Sequence, residues 1–297
     1  MIDKRSFQIR DFISKPLYDE GTLLAKDARY PKISIVIPSY NKGDFIEKTI
    51  LSVLNQNYPN MECIVIDGGS TDNTLNVIRK YEKFMACWVS EKDSGQSDAL
   101  NKGFSLATSD WVNEQDADDI FLPGAFHKIA EMIRRYPSVD IIFGNRMDID
   151  EKDNIIGEIK YTRFSGIVYR YDGMSIGPQS AFWKRDLFSK IGMYDVDLHL
   201  AMDYDFFMKA AVARAKFQHV PFCFSAMRRY AGSKTSQFLN MPEHKRECNI
   251  VDMRYGRKKI LNIPLRIYAL IFRTVNYTLQ GDANYVWSGL IRRINQG

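Results

Sequence analysis

Several features are absent from this sequence, and each absence excludes a class of protein. No C-x-x-C pair occurs in its 297 residues, and the four cysteines (Cys63, Cys87, Cys223, Cys248) are scattered. They read as reduced thiols, which excludes a disulfide scaffold and a structural zinc site and fits a cytoplasmic chain. No apolar run approaches the roughly 18 residues of a membrane span. The start, MIDKRSFQIRDFISK, lacks the apolar core of a signal peptide. Neither G-x-G-x-x-G nor G-x-x-x-x-G-K-[ST] is present, so neither a dinucleotide fingerprint nor a P-loop is expected. The net charge of +5 is too weak to argue for nucleic acid. There is no internal repeat and no low-complexity tract. What remains is a soluble-type composition, 45% apolar and 26% charged, long enough for one large domain or two small ones.

The pattern along the chain is strand, helix, strand. Residues 1–31 read as a lead-in ending at Pro31. Ile33–Ile37 is a β-branched run and reads as a buried strand. Asp44 is placed to cap a helix carrying Ile46, Ile50, Val53 and Leu54 on one face. Glu62–Ile66 is a second strand, followed by a helix with Leu75, Ile78 and Tyr81. A short strand near Ala86–Val89 and a helix from Gln96 come next, and Trp111-Val112 opens a fourth strand. Such alternation predicts an α/β fold with a mostly parallel, doubly wound sheet. In that class the chemistry lies beyond the carboxyl ends of the strands. Four polar stretches, Ser39-Tyr40-Asn41, Asp67-Gly68-Gly69, Glu91-Lys92-Asp93 and Gln115–Asp119, each follow a strand and are expected at one edge.

After Pro123 the pattern is mixed: a helix over 123–136, a strand over Val139–Phe143, and a surface hairpin around Lys152-Asp153-Asn154. Gly177–Trp183 reads as loop into strand, Asp203–Ala213 as a helix, and Phe217–Arg229 as a strand interrupted by Pro221. Residues 242–259 and 264–293 read as basic helices. We divide the chain into the lead-in 1–31, a domain over 32–240 and a helical extension over 241–297.

The stretch Gln115–Asp119, QDADD, places three carboxylates within four positions. Like charges so close require compensation by a metal ion, by Lys/Arg or by water. On its own the stretch is equally an acidic cap for the next helix.

The string ISIVIPSYNKGDFIEKTILSVLNQNYPNMECIVIDGGSTDNT, followed by SEKDSGQSDALNKGF and DADD, resembles the inverting family 2 glycosyltransferases of GT-A fold. The resemblance spans roughly residues 33–235. It implies transfer of a sugar from a nucleotide-diphosphate sugar, expected to be a UDP-sugar, to a hydroxyl of a glycan or lipid-linked acceptor in surface polysaccharide synthesis. A divalent cation, Mn2+ or Mg2+, would neutralise the leaving diphosphate. By resemblance Asp118 faces the metal, Asp116 and the neighbouring Ala117 face the ribose side, and Asp119 supports them. Pro38, Ser39, Tyr40 and Asn41 lie against base and ribose. Asp67 and Gly69, then Glu91, Asp93, Gly95, Gln96 and Lys102, complete the nucleotide-sugar contacts. Asp203, in AMDYDFFMKAA, matches the base that takes the acceptor proton, with Asp205 structural. Gln179 and Trp183 are expected to touch the sugar, and Arg228, Arg229 and Tyr230 the diphosphate.

The sequence departs from the family pattern in three places. Gly68 stands where a second Asp is common, which leaves the reader of the base unassigned. Tyr230 stands where His is common. Asn113-Glu114-Gln115 is polar where an apolar strand usually continues, and Glu114 is either exposed or paired with a base. Residues 254–273 carry six Lys/Arg and no acid among apolar and aromatic residues, with Trp287 further on. This extension is expected either on an anionic membrane, at the inner face of the cell membrane, or docked on the core or in a homodimer. Two other functions share such a fold: a nucleotidyltransferase, whose Gly-rich basic loop is missing here, and an inactive nucleotide-sugar-binding module.

Overall fold

The computed structural model describes residues 4–172, 176–238, 241–256, 262–282 and 285. Two helices, α1 (Lys4–Ser14) and α2 (Glu20–Ala25), precede the first strand. Then β1 (Ile33–Ser39), α3 (Ile46–Leu54), β2 (Met61–Asp67), α4 (Thr74–Tyr81), β3 (Cys87–Ser90), α5 (Gln96–Leu106) and β4 (Trp111–Glu114) follow the predicted alternation. The second half contains β5 (Ile120–Phe121), α6 (Ala125–Arg135), β6 (Ile141–Ile149), β7 (Ile155–Ile159), α7 (Gly166–Asp172), β8 (Ala181–Lys184) and α8 (Leu187–Ile191). It ends with α9 (Met202–Val212), β9 (Phe217–Arg228), α10 (Lys234–Phe238), α11 (Pro242–Arg254) and α12 (Asn262–Leu279). Trp287 and the predicted continuation of the last helix beyond Asp282 lie outside the described residues, apart from Tyr285.

The strands form one sheet in the order β3-β2-β1-β4-β8-β6-β9-β5, with β7 paired to β6. β1 lies parallel to both β2 and β4, and β2 parallel to β3. Beyond β4 the pairing turns mixed, because β8 runs antiparallel to both β4 and β6. The two faces are distinct cores. Ile33, Ile35 and Ile37 of β1 pack with α3, α4 and α6, while Val36 packs with α5 and α9 on the other side. This is the alternation a strand imposes when helices cover both faces of a sheet.

Local expectations differ from the structure at four points. Asp44 does not cap α3, whose N-cap is Phe45 without a side-chain bond. Pro221 falls in a bulge where the β6–β9 register jumps from Gly144↔Val220 to Asn145↔Cys223, so the strand runs on through it. β6 extends past Phe143 to Ile149, because β9 pairs along its whole length. The lead-in is part of the fold: Ile9 and Ile13 of α1 are buried against Ile120, Leu122, Ile149 and Ala226.

Candidate active site

The strand ends line up as the topology requires. Ser39 pairs with Asp67 and Asp67 with Ser90, while the Gln115 N–H donates to the Val36 carbonyl at 2.9 Å. Pro38 is buried in β1, and Tyr40 projects with 60% of its surface exposed, leaving its ring free to stack. Asn41 adopts the left-handed region (φ 51°) and braces the next loop. Its N–H donates to Ser70 Oγ at 2.7 Å, and its Oδ1 accepts from the Thr71 N–H at 2.9 Å. Ser39 Oγ is buried without a partner among the described residues.

Asp67 corrects one expectation. Its carboxylate is fully buried and accepts from the Gly69 and Ser70 N–H groups (3.1 and 2.9 Å) and from the Ser70 and Ser90 hydroxyls (2.5 and 2.7 Å). It shapes the DGGS turn, and both of its oxygens are engaged there rather than turned to a nucleotide. Gly69 supplies the positive φ of that turn (83°). Gly68 has a different reason: a Cβ there would sit 2.7 Å from Asp93 Oδ2. The place where a second Asp is common is filled by the carboxylate of Asp93, from the loop after β3. Asp93 Oδ1 accepts from the Gly95 N–H at 2.9 Å.

The remaining donor-side residues divide. Glu91 and Lys102 form an ion pair at 2.9 Å, with Asp98 at 3.4 Å from the same ammonium. They line a shallow groove of about 430 Å³ between α5 and β3, along with Ile66, Val89, Asn101 and Leu106. None of the QDADD residues lines it. Gly95 (φ 113°) opens α5, and Gln96 turns inward, donating from Nε2 to Asp116 Oδ1 at 2.7 Å. Gln96 Oε1 in turn accepts from Lys234 Nζ at 2.7 Å.

QDADD is compensated by residues from two loops, those after β1 and β9. Lys42 Nζ lies 2.5 Å from Asp118 Oδ2, the Tyr230 hydroxyl donates to the same oxygen at 2.7 Å, and Lys42 also donates to Tyr230 at 2.8 Å. Burial opposes the charge on Lys42, but Asp118 and Tyr230 more than offset it and hold the ammonium above its ordinary pKa. Burial, with Asp118 beside it, pushes Tyr230 up to about 12. Asp116 is raised by burial and then by the charge of Asp118. No group of three or more His, Cys, Asp or Glu is placed to hold a metal among the described residues. Mg2+ and Mn2+ nucleotide sites use one or two carboxylates and take their remaining oxygens from phosphates and water. Asp118, a hard oxygen donor with 8% of its surface exposed, fits that donor set once Lys42 yields.

Other expected contacts are displaced. Ala117 is buried in the core under α3 and α6. Trp183 is fully buried among Phe104, Phe188, Phe206 and Phe207, so it cannot touch a sugar. Arg228 is 1% exposed. Its guanidinium pairs with Asp153 at 2.6 Å and donates to the Asp118 and Asp150 carbonyls, and its N–H donates to Asp119 Oδ1 at 2.8 Å. It is a strut beneath QDADD, with most of its guanidinium engaged by protein partners rather than turned to a diphosphate. Arg229 reaches Asp148 at 3.3 Å. Gln179 is buried, with Nε2 3.3 Å from Asp116 Oδ2, so it faces the cleft through that carboxylate.

Asp203 stands in the first turn of α9, half-buried, with Oδ1 accepting from the Tyr204 N–H at 2.7 Å. Burial raises its pKa, while the charge of Lys234 opposes the rise. Lys234 acts on Asp116 in the same direction. Asp205, by contrast, is fully buried and ion-paired with Lys209 and Arg254. Glu114 is neither exposed nor salt-bridged. It is 3% exposed, its Oε2 has no hydrogen-bond partner among the described residues, and burial followed by the charge of Asp116 raises its pKa well above normal. Lys42 and Lys234 were missed as site residues. Lys42 directly follows the Ser39-Tyr40-Asn41 stretch, and Lys234 opens α10 a few residues after Tyr230; their nearness to those stretches is the signal the sequence offers.

Comparisons with known proteins bear on the family and the fold. An uncharacterized glycosyltransferase of Mycobacterium tuberculosis is 32% identical over 187 residues, 61% of this chain and 70% of its own. A poly-beta-1,6-N-acetyl-D-glucosamine synthase of Staphylococcus epidermidis is 27% identical over 63% of this chain, which spans about half (48%) of that relative. Among solved structures, S. aureus TarS 1-349 in complex with UDP-GlcNAc superposes with a TM-score of 0.63 at 19% identity, over 83% of this chain and 73% of that one. The mannosyltransferase PcManGT of Pyrobaculum calidifontis with GDP-Man and Mn2+ gives 0.53 at 17% identity, over 97% and 87%. At such identities these two establish the GT-A-like fold alone. The family model for glycosyl transferase family 2 matches residues 34–192, more than half of the sequence and every donor-side motif, and the chain therefore belongs to the family 2 glycosyltransferases.

Proposed function

We propose that the enzyme transfers an N-acetylhexosamine or hexose from a UDP-sugar to a hydroxyl of a glycan or lipid-linked acceptor, with inversion, in the building of a surface polysaccharide. The observation that carries this reading is the chain of contacts from Lys234 Nζ through Gln96 to Asp116, 2.7 Å at each step, at the carboxyl edge of the sheet. The charge of Lys234 also opposes the rise in the pKa of Asp203, which supports setting the two carboxylates on one cleft. Asp203 takes the proton of the acceptor hydroxyl as its oxygen attacks the anomeric carbon. The bond to the diphosphate oxygen breaks on the opposite face, and UDP leaves with the electron pair. A divalent cation held by Asp118 would neutralise the charge gathering on that diphosphate. Tyr40 stacks on the base, and Asp93 accepts from its imide N–H. The relatives named above, a poly-N-acetylglucosamine synthase and a UDP-GlcNAc-bound TarS, support the choice of donor.

For the extension we propose contact with an anionic lipid surface. No described helix is long and apolar enough to cross a membrane. Yet α12 exposes Ile267, Leu270, Ile271 and Val275, and residues 254–273 carry six basic residues and no acid. Such contact would place the enzyme at the inner face of the cell membrane, beside a lipid-linked acceptor. Sedimentation with phosphatidylglycerol vesicles, against neutral vesicles, tests it.

Thermal denaturation with UDP-GlcNAc, GDP-mannose and dTDP-glucose, each with and without Mn2+, tests the donor. The UDP-sugar with Mn2+ should give the largest rise in Tm. An equal rise with GDP-mannose, or none with any donor, overturns it. Asp203→Asn should lower turnover by at least about 1,000-fold, and a fully active Asn variant removes the base.

A further inference from the structure

Helix α9 lacks a cap of its own: its N-cap residue, Ala201, makes no side-chain bond. The N–H groups of His199, Leu200 and Ala201, just before the helix, would face the solvent edge unpaired. They are collected by a residue more than forty positions later. Glu247, in the middle of α11, accepts from the Leu200 and Ala201 N–H groups with Oε2 at 2.7 and 2.9 Å, and from the His199 N–H with Oε1 at 3.2 Å. An anion there also complements the positive end of the helix.

The contact is one end of a longer clasp. The Tyr204 hydroxyl donates to Asp252 at 2.8 Å, and Tyr255 donates to Asp205 at 3.0 Å. Arg254 bridges Asp205 at 2.7 Å and Asp195 at 2.8 Å. On its inner side the same segment is held by α5, where Ser97 Oγ donates to the Leu198 carbonyl at 2.9 Å and Asn101 exchanges hydrogen bonds with Tyr194. The start of α9 is thus gripped between α5, which carries Gln96, and α11. Asp203 lies two residues beyond the last N–H that Glu247 accepts.

We propose that Glu247 is a positioning residue for the proton-accepting carboxylate: by tying His199–Ala201 to α11 it sets where Asp203 stands over the donor. The C-terminal helix α11, beyond the residues matched by the family model, is then part of the catalytic apparatus. This inference rests on Asp203 being the base, and the test separates the two. The side-chain carboxylate reaches all three donors, and an amide keeps only one acceptor oxygen, so Glu247→Gln grades the effect.

In the full chain, Glu247→Ala should lower kcat about 10- to 100-fold, the scale of a misplaced catalytic group. The KM for the donor and the Kd for UDP should stay within about twofold, since α5 and the donor loops are untouched. Glu247→Gln should fall between Ala and wild type. On an Asp203→Asn background the Ala substitution should cost little further turnover, because the two act as one unit. A wild-type kcat for Glu247→Ala overturns the inference while leaving an inactive Asp203→Asn, and hence the base, in place. A loss that multiplies in full on the Asp203→Asn background, or that appears equally in UDP affinity, also overturns it. An Asp203→Asn enzyme with full activity fails the base reading instead. Should Glu247→Ala not fold, the Gln variant carries the same tests.

Discussion

Asp67 and Glu114 end two strands that flank the same β1, and both carboxylates are buried. They are otherwise opposites. Asp67 is met by two backbone N–H groups and two hydroxyls. Glu114 Oε2 meets no donor among the described residues and has its pKa driven well up. The difference lies in the path of the chain beyond each strand. After Asp67 the chain turns back at once through two glycines, and the turn points its own N–H groups at the acid. After Glu114 it runs on toward the DADD acids, which add negative charge. The neighbours of Glu114 in the chain, Asn113 and Gln115, also carry buried polar atoms without a partner among the described residues. A buried polar group without a partner is costly, and such groups gather where a ligand or water has to be met. The saturated carboxylate shapes its own turn, whereas Glu114 is held among acids by burial and keeps its proton more tightly.

The largest effect expected from this contrast is on folding. Asp67→Ala strands two N–H groups and two hydroxyls in the interior and should cost about 3 kcal/mol, measured by urea unfolding. If the loss is under about 0.5 kcal/mol, saturation with donors is not what distinguishes Asp67, and the contrast with Glu114 breaks.

That contrast also marks what could be read in advance. The β-branched runs and the polar stretches at their ends are local signals, and Ser39, Asp67, Gly69 and Gln96 fell where the strand pattern put them. The later half was less legible because its charges are cancelled at long range. Arg228 looks like a phosphate ligand until Asp153, seventy-five positions earlier, is brought against it. Trp183 looks available until β8 turns its ring into the core shared with Phe206 and Phe207. Glu247 gives no sign of its role, because its partners are backbone N–H groups, which no side-chain pattern encodes.

A smaller, opposite effect is expected at Glu114. Its folded-state pKa is raised, so the folded protein holds a proton that the unfolded chain releases above its ordinary value of 4.5. Stability therefore falls as pH rises from that value toward the raised one. Glu114→Gln cannot ionise and should escape the fall. It should be measurably more stable than wild type at pH 8 and no more stable near pH 4.5. Urea unfolding at both pH values measures this. A variant less stable than wild type at pH 8 would show that the ionised carboxylate has a stabilising partner after all, as Asp67 does.

The smallest effect on folding, and the sharpest on binding, is expected at Gly68. A methyl there meets Asp93 Oδ2 at 2.7 Å, yet Gly68 has an ordinary φ and the offending atom ends a side chain that can swing away. Gly68→Ala should therefore cost under about 1.5 kcal/mol, the scale of an off-rotamer side chain. Its consequence appears in nucleotide affinity, because Asp93 is pushed from the place where a second acid would otherwise stand. UDP should bind about tenfold more weakly to Gly68→Ala and to Asp93→Asn alike, the worth of one hydrogen bond to a charged group. The Asn variant still accepts from the Gly95 N–H, so its loop is kept. CDP, which offers no imide N–H, should lose nothing in either variant, and combining the two substitutions should add little. Calorimetric titrations with both nucleotides decide it: equal losses for UDP and CDP would mean that the substitutions disturb the loop as a whole and that Asp93 does not read the base.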